Sequence, residues 1–288
     1  MRIEDIDSPR VRSGSVESML DDLAWFGLDW DGEPLIQSTR IAEHQKALDT
    51  LRELELVYPC SCSRTDVERA ASAPHEGQWG HEGPIYPGTC AKRGSTEDQL
   101  PEGPFAWRFR FGKFREKFRD QVLGELDLLV EGDFAVWKAG KGAQSAGPAY
   151  QLSVVIDDHF QAITEVVRGD DLLNSTPRQI RIARAFGYQS PNWAHVPLVI
   201  GEDGLRLAKR HGDTRVASLR AANVPADVLC GYLAWSLGWN ESRMPLAPKD
   251  LLDLWSWESL NKNPWVLQNE TLREMGYNPV SGKASPRR

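Results

Sequence analysis

The chain has 288 residues, 41% hydrophobic and 26% charged, with a formal net charge of −7. This length can bury a large core in one or two domains. No apolar run reaches the roughly 18 residues of a membrane helix, four cysteines are too few for a disulfide scaffold, and the acidic balance disfavours indiscriminate coating of nucleic acid. The charged N-terminus offers no apolar signal region, so a cytoplasmic protein is expected; a monomer is the accompanying expectation.

Arg2-Ile3-Glu4-Asp5-Ile6-Asp7 crowds ionised groups around two isoleucines. A strand end presenting carboxylates to a cleft would need those isoleucines, and a solvated charge run would not. Ser15 is placed to cap a helix with Val16, Met19, Leu20, Leu23 and Phe26 on its apolar face and Gly27 as its stop. Thr39 opens a second helix with Ile41, His44, Leu48, Leu51 and Leu54 on one side, and Thr65 with Glu68 forms a capping-box pattern for a short third. Residues 72–84 and 139–148 are loops by composition. Between them Phe105, Trp107, Phe109 and Phe111 alternate with Arg108 and Arg110, as in a half-buried strand.

Strands are expected over 152–156, 163–167 and 196–200. Thr176-Pro177 starts a helix that Gly187 ends. The turn 201–204 leads into a basic segment, and beyond Thr214 the pattern is helical, most clearly over 225–237. Cys230 in that stretch reads as a small buried hydrophobe, and Trp255, Trp257 and Trp265 as packing of the helical tail. Lys113, Arg115, Lys117 and Arg119, and again Arg178, Arg181 and Arg184, form two basic clusters. Each is either a local nucleic-acid face or an ordinary solvated face. Strands alternating with helices place the chain in the α/β class, followed by a mostly helical tail.

Cys60-x-Cys62 followed by Tyr86-Pro-Gly-Thr-Cys90 is the sharpest local chemistry. Zinc takes four soft or borderline ligands in a tetrahedron, and these three thiolates would provide three. Tyr86, His75 and His81 are the candidates for the fourth, and by chemistry alone imidazole is the commoner ligand.

Three segments in order carry a resemblance: the Arg2–Arg10 stretch, Val166-Val167-Arg168-Gly169-Asp170-Asp171-Leu172-Leu173, and Leu205-Arg206-Leu207-Ala208-Lys209-Arg210-His211-Gly212. Together they resemble the catalytic core of class I glutamyl-tRNA synthetases. With the Cys-x-Cys … Tyr-x3-Cys set they resemble most the short glutamyl-Q tRNA(Asp) synthetase family, from Arg2 through about Leu267. The resemblance implies a Rossmann-like parallel sheet split as 1–58 and 105–205, a zinc-binding insertion over 59–104, and a signature loop with a helical stem-contact region over 206–288. It implies activation of glutamate by ATP with Mg2+, then transfer to queuosine of tRNA(Asp), with a structural Zn2+.

Residue by residue, Glu4 matches the position that engages the substrate ammonium and Arg168 the one that pairs with the side-chain carboxylate. Tyr150, in Pro148-Ala149-Tyr150-Gln151-Leu152, matches a tyrosine lining the amino-acid pocket. Asp157, Asp158 and His159 are expected to orient that pocket or the RNA end. Arg206-Leu207-Ala208-Lys209-Arg210 resembles the mobile Lys-Met-Ser-Lys-Ser or Lys-Leu-Ser-Lys-Arg loop. There Lys209 would act on the ATP phosphates, assisted by Arg206 in place of the first lysine, while Ala208 removes a hydroxyl. The resemblance favours Tyr86 as the fourth zinc ligand. Read singly, Glu4 could pair with Arg2 or Arg10, Arg168 with Asp170 or Asp171, and Tyr150 could be a core aromatic.

The family pattern also implies a strand and a His-Ile-Gly-His-like segment ahead of Arg2. Family members carry valine where Met1 stands, and a GTG codon reads as valine internally but as methionine at a start, so a start placed at such a codon is the expectation. A chain beginning at Met1 is expected to lack the first parallel strand and to show little ATP–pyrophosphate exchange. The competing readings are a truncated, non-catalytic zinc-bearing module that binds RNA or glutamate, and a fragment of an ordinary glutamyl-tRNA synthetase. The Tyr86–Cys90 spacing and the early end of the chain weigh against the fragment.

Overall fold

A computed structural model describes residues 1–6, 11–71, 79–80, 83–138, 147–207, 211 and 214–278. The strands are β1 (Arg2–Ile3), β2 (Leu35–Ile36), β3 (Val57–Cys60), β4 (Trp79–Gly80), β5 (Gly83–Pro84), β6 (Ala106–Phe109), β7 (Lys113–Asp120), β8 (Gly124–Glu131), β9 (Phe134–Lys138), β10 (Gly147–Pro148), β11 (Glu165–Gly169), β12 (Asn192–Val196), β13 (Val199–Ile200) and β14 (Trp265–Val266). The helices are α1 (Ser15–Phe26), α2 (Ile41–Glu53), α3 (Arg64–Ala71), α4 (Tyr150–Phe160), α5 (Thr176–Ala185), α6 (Val216–Ala221), α7 (Ala226–Ser236) and α8 (Asn269–Glu274). No helix among the described residues is long and apolar enough to cross a membrane.

The class is α/β with parallel elements. β11 pairs in parallel with β12 and β12 with β7, while β8 returns antiparallel along β7. β1 lies parallel to β2, with Arg2 opposite Leu35, and β13 parallel to β14. A second sheet, in the order β10-β9-β6-β3, is antiparallel throughout. The chain leaves that sheet at β3 and re-enters it at β6, with Cys60 opposite Ala106, so the cysteine region is an excursion between neighbouring strands.

The main core lies between the antiparallel sheet and α2, α4 and α5. It joins Leu48, Leu51, Val57, Trp107, Phe109, Val136, Leu152 and Ile182. The alternation of aromatics over 105–111 puts Trp107, Phe109 and Phe111 into it, as expected. A second cluster around Leu219, Leu229, Tyr232, Leu272 and Tyr277 holds the helical tail, with Trp265 packed against it and Cys230 buried. Trp257 packs on a third cluster with Leu260 and Ala194, while Trp255 remains 45% exposed and meets Trp257 edge to face.

Several local expectations need correction. Residues 152–156 are helix, not strand: they lie in α4. Leu152, Ser153, Val154, Val155, Ile156 and Asp157 are all buried, so that stretch is covered on every side and shows no period of 3.6. The strand expected at 196–200 is two strands, β12 ending at Val196 and β13 starting at Val199, with Pro197, which has no N–H to donate, between them. Ser15 is the first residue of α1 rather than its cap; Gly14 holds the cap position, and the Ser15 hydroxyl donates to the Arg12 carbonyl. Thr39 sits inside a short 3-10 helix, Gln37–Arg40, that precedes α2. The box before α3 is made by Ser63 and Asp66, not Thr65 and Glu68: the Ser63 N–H and hydroxyl donate to Asp66, and the Asp66 N–H donates back to Ser63 Oγ. Within the loop expected at 72–84, β4 and β5 form a small antiparallel pair. Gly27 and Gly187 do end their helices, at φ of 73° and 69°, where a Cβ is strained.

Candidate active site and metal cluster

The end of β1 brings Arg2 and Glu4 to the C-terminal part of α4. Arg2 Nε and Nη2 donate to Glu4 Oε1 at 3.1 and 3.0 Å, while Arg2 Nη1 reaches Asp158 Oδ1 at 2.7 Å and Gln161 Oε1 at 3.0 Å. The simpler pairing of Glu4 with Arg2 is thus present, but it falls on one carboxylate oxygen only. Asp5 is committed elsewhere, accepting from the Ser38 N–H and hydroxyl at 2.8 and 2.6 Å. Burial pushes the Asp158 carboxyl above its usual range; Arg2 opposes that, the Glu4 charge adds to it, and Arg168 opposes it. Arg2 is the group in direct contact with that carboxylate.

Arg168, on β11, is held on four acceptors besides Tyr150. Its Nε donates to His195 Nε2 at 3.1 Å, Nη1 to Gln179 Oε1 at 2.8 Å, and Nη2 to Thr176 Oγ1 at 2.7 Å and the Leu172 carbonyl at 3.3 Å. The guanidinium lies over the Trp193 ring, 4.9 Å from its centre. Burial lowers its pKa, and Tyr150, Asp158 and Asp120 act against that. It remains a cation at any physiological pH. The alternative pairing with Asp171 does not arise, because Asp171 takes Arg206 Nη1 at 2.8 Å. Tyr150 opens α4 with its side chain hydrogen-bonded to Arg168. Gln151, next to it, donates to Ser175 Oγ at 2.8 Å and accepts from Gln179 Nε2 at 3.0 Å.

The neighbouring acids have distinct structural partners. Asp157 is buried, and its carboxylate gathers Gln37 Nε2 at 2.8 Å, Arg40 Nε at 2.7 Å and His44 Nε2 at 3.1 Å. This ties α4 to α2 and the short 3-10 helix before it. His159 stacks on Tyr188 at 3.5 Å. Arg206 bridges back to Ile200, at the base of the signature turn. Lys209 and Ala208, like Arg10, His75 and His81, lie outside the described residues.

Sequence reasoning missed Asp120, Thr176, Gln179 and His195. His195 Nδ1 meets Asp120 Oδ2 at 2.6 Å, and Asp120 Oδ1 also accepts the N–H groups of Val122, Leu123 and His195. Burial alone would raise the Asp120 pKa, but these hydrogen bonds outweigh it and hold the carboxyl below its usual range. A single histidine in an apolar strand and an aspartate ending a basic one carry no sequence signal.

In the cysteine region, one ligand atom from each of Cys60, Cys62 and Cys90 lies within 4.8 Å of the others. Cys62 and Cys90 sulfurs are 3.6 Å apart, near the edge of a tetrahedron built on bonds of about 2.3 Å. The Tyr86 hydroxyl oxygen sits 3.3 Å from Cys60 Sγ and 3.8 Å from Cys62 Sγ, and accepts the Cys90 N–H at 2.8 Å. Burial raises the Cys62 thiol to about 11, while hydrogen bonds from Tyr86 and the Ser61 backbone overcome burial and lower Cys90 to about 7.

Most members of the two basic clusters have partners in the fold. Lys113, Arg115 and Arg119 on β7 pair across to Glu131, Asp127 and Glu125 on β8. Arg184 forks onto the buried Glu116 at 2.6 and 2.7 Å, and Arg178 and Arg181 lie over the Phe134 and Phe114 rings. The solvated or packed reading fits both clusters.

The comparisons place this α/β domain among the class I aminoacyl-tRNA synthetases. The family described as "tRNA synthetases class I (E and Q), catalytic domain" matches residues 1–274, and the chain belongs to it. Within it, the chain is 42% identical over 284 residues to a glutamyl-Q tRNA(Asp) synthetase of Rhodopirellula baltica, covering 93% of this chain and 86% of that one. It is 39% identical over 291 residues to the protein of that name from Nitratidesulfovibrio vulgaris, covering 94% and 86%. A glutamate–tRNA ligase of Geobacter sulfurreducens is 34% identical over 292 residues, but this chain spans only 60% of its length. The fold matches a glutamate tRNA ligase of Elizabethkingia meningosepticum, solved with its amino acid, at a TM-score of 0.71 and 18% identity, covering 95% of this chain and 61% of that one.

Proposed function

We propose that the chain carries the glutamate pocket of an enzyme that activates glutamate with ATP and transfers the glutamyl group to queuosine of tRNA(Asp). The observation that carries this reading is the half-buried Arg168 guanidinium, bonded to neutral acceptors, with Glu4 held by Arg2 beside Asp158. A free amino acid with an acidic side chain needs a cation at one end and a carboxylate at the other. Arg168 takes the side-chain carboxylate, Glu4 offers Oε2 to the ammonium, and Tyr150 lines the pocket between them. The α-carboxylate of glutamate then attacks the α-phosphorus of ATP and pyrophosphate leaves. A queuosine hydroxyl attacks the acyl carbon, losing its proton, and AMP leaves. Positioning and charge stabilisation are the protein's main contributions. By resemblance, Lys209 with Arg206 is assigned to counter the charge that moves onto pyrophosphate, with Mg2+ accompanying the nucleotide.

Cys60, Cys62, Cys90 and Tyr86 would hold a Zn2+ ion, which when bound supplies a structural cross-link and no step of the reaction. The support is the clustering of the three sulfurs around the Tyr86 hydroxyl.

The test is transfer of labelled glutamate to tRNA(Asp) with and without queuosine, and to tRNA(Glu). It is run once with glutamate and ATP and once with preformed glutamyl-adenylate, so that transfer is read apart from activation. Label confined to queuosine-bearing tRNA(Asp) is expected. Label on tRNA(Glu), or none from either supply, overturns the reading.

A further inference from the structure

We infer that His195 is a positioning residue that fixes Arg168 while keeping the Asp120 carboxylate out of contact with it, and so favours a carboxylate over a carboxamide in the amino-acid pocket. This inference rests on the reading of Arg168 as the partner of the substrate side chain.

The hydrogen bonds allow His195 one tautomer. Asp120 Oδ1 accepts three backbone N–H groups, and a carboxylate so placed is ionised and can only accept. The ring nitrogen facing it at 2.6 Å, Nδ1, must therefore carry a proton. Arg168 Nε can only donate, so the ring nitrogen facing it at 3.1 Å, Nε2, must be bare. Thr176 fits the same assignment: its Oγ1 accepts from Arg168 Nη2 at 2.7 Å, leaving its own proton for His195 Nε2 at 3.1 Å. The ring is thus neutral, fully buried, and polarised from Asp120 toward Arg168.

The consequence is a matter of charge. A carboxylate touching Arg168 would neutralise it, and a bound glutamate would then have to displace that partner. A neutral imidazole instead orients the guanidinium and leaves its charge unspent. Gln179, Thr176 and the Leu172 carbonyl complete a neutral cradle. In a poorly hydrated pocket, an oriented cation without a contacting anion prefers a carboxylate ligand to a neutral amide of the same shape.

The test uses the full chain with three variants: His195→Asn, His195→Gln and Arg168→Ala. Asparagine can keep a donor near Nδ1 for Asp120 but cannot reach Arg168. Glutamine can place an oxygen near the Nε2 position. Glutamate binding is read by calorimetry, glutamine by competition, and folding by melting temperature. Expected for His195→Asn is about tenfold weaker glutamate binding and a narrowed glutamate-to-glutamine ratio, largely restored in His195→Gln. Unchanged glutamate affinity in His195→Asn, while Arg168→Ala loses it, overturns the inference and leaves the glutamate reading standing. Unchanged affinity in Arg168→Ala, or no glutamate binding by the unmodified chain, overturns the reading beneath it. Long-range nitrogen–proton NMR of the unmodified chain reads the ring without any variant. A bare Nε2 and protonated Nδ1 are expected, and either an imidazolium or the opposite tautomer sinks the proposal.

Discussion

Replacing Asp157 by asparagine removes the charge that ties α4 to α2 and the 3-10 helix before it. The carboxylate is fully buried and holds Gln37, Arg40 and His44. In Asp157→Asn the Arg40 charge loses its partner, with its side chain only 11% exposed, and an amide NH2 must face one of the donors. Removing one partner of a buried pair costs about 3–5 kcal/mol. Arg40 keeps its position over the Phe160 ring at 3.8 Å, and Gln37 can turn its amide to present oxygen, so the lower end, about 3 kcal/mol, is expected. The pH dependence has a definite sign. Burial opposes ionisation of Asp157, but hydrogen bonds from His44, Arg40 and Gln37 outweigh it and depress its pKa. Its contribution is therefore complete above the ordinary aspartate pKa and is lost as pH falls through the depressed folded value. The variant has no such loss, so the stability gap should close on acidification. Urea unfolding at neutral and acid pH measures both. A neutral-pH loss under about 1 kcal/mol, or a gap that does not shrink in acid, refutes the reasoning.

Three further outcomes follow from other contacts. The purified chain should carry one zinc by elemental analysis; Cys90→Ser should lose it, and Tyr86→Phe should bind it at least about tenfold more weakly, the scale already reached when an outer partner of a metal site is lost. Full zinc affinity in Tyr86→Phe would exclude the phenol as a ligand. Glu116→Gln breaks a forked pair whose carboxylate is buried, and should cost about 2 kcal/mol in urea unfolding; no change would show that Arg184 merely covers β7. Asp171→Asn removes an ion pair whose Arg206 side chain is 75% exposed, so stability should shift by less than about 1 kcal/mol, and a larger fall in melting experiments would mean that the pair anchors the signature turn.

What the sequence made legible depended on whether a residue's partner lay nearby in the chain or whether the pattern faced a single surface. The Thr176-Pro177 start and Gly187 stop, and the aromatic alternation over 105–111, were readable because each answers to local backbone geometry or one buried face. The three sulfurs were readable because thiolates at that spacing have few other uses. α4 was misread because its apolar stretch is covered all round, so it carries no amphipathic signal. The box before α3 was misplaced because Ser63/Asp66 and Thr65/Glu68 overlap, and only the helix start at Arg64 decides between them. Asp120 and His195 were invisible because their pairing joins β7 to β12 across 75 positions. Arg168 was singled out only through resemblance, and its neutral cradle needed the fold.

The most direct check is a crystal structure of the chain with glutamate bound. Its side-chain carboxylate should lie within hydrogen-bonding distance of the Arg168 guanidinium, with its ammonium toward Glu4. Glutamate seated away from Arg168, or bound with its two ends exchanged, would contradict the account.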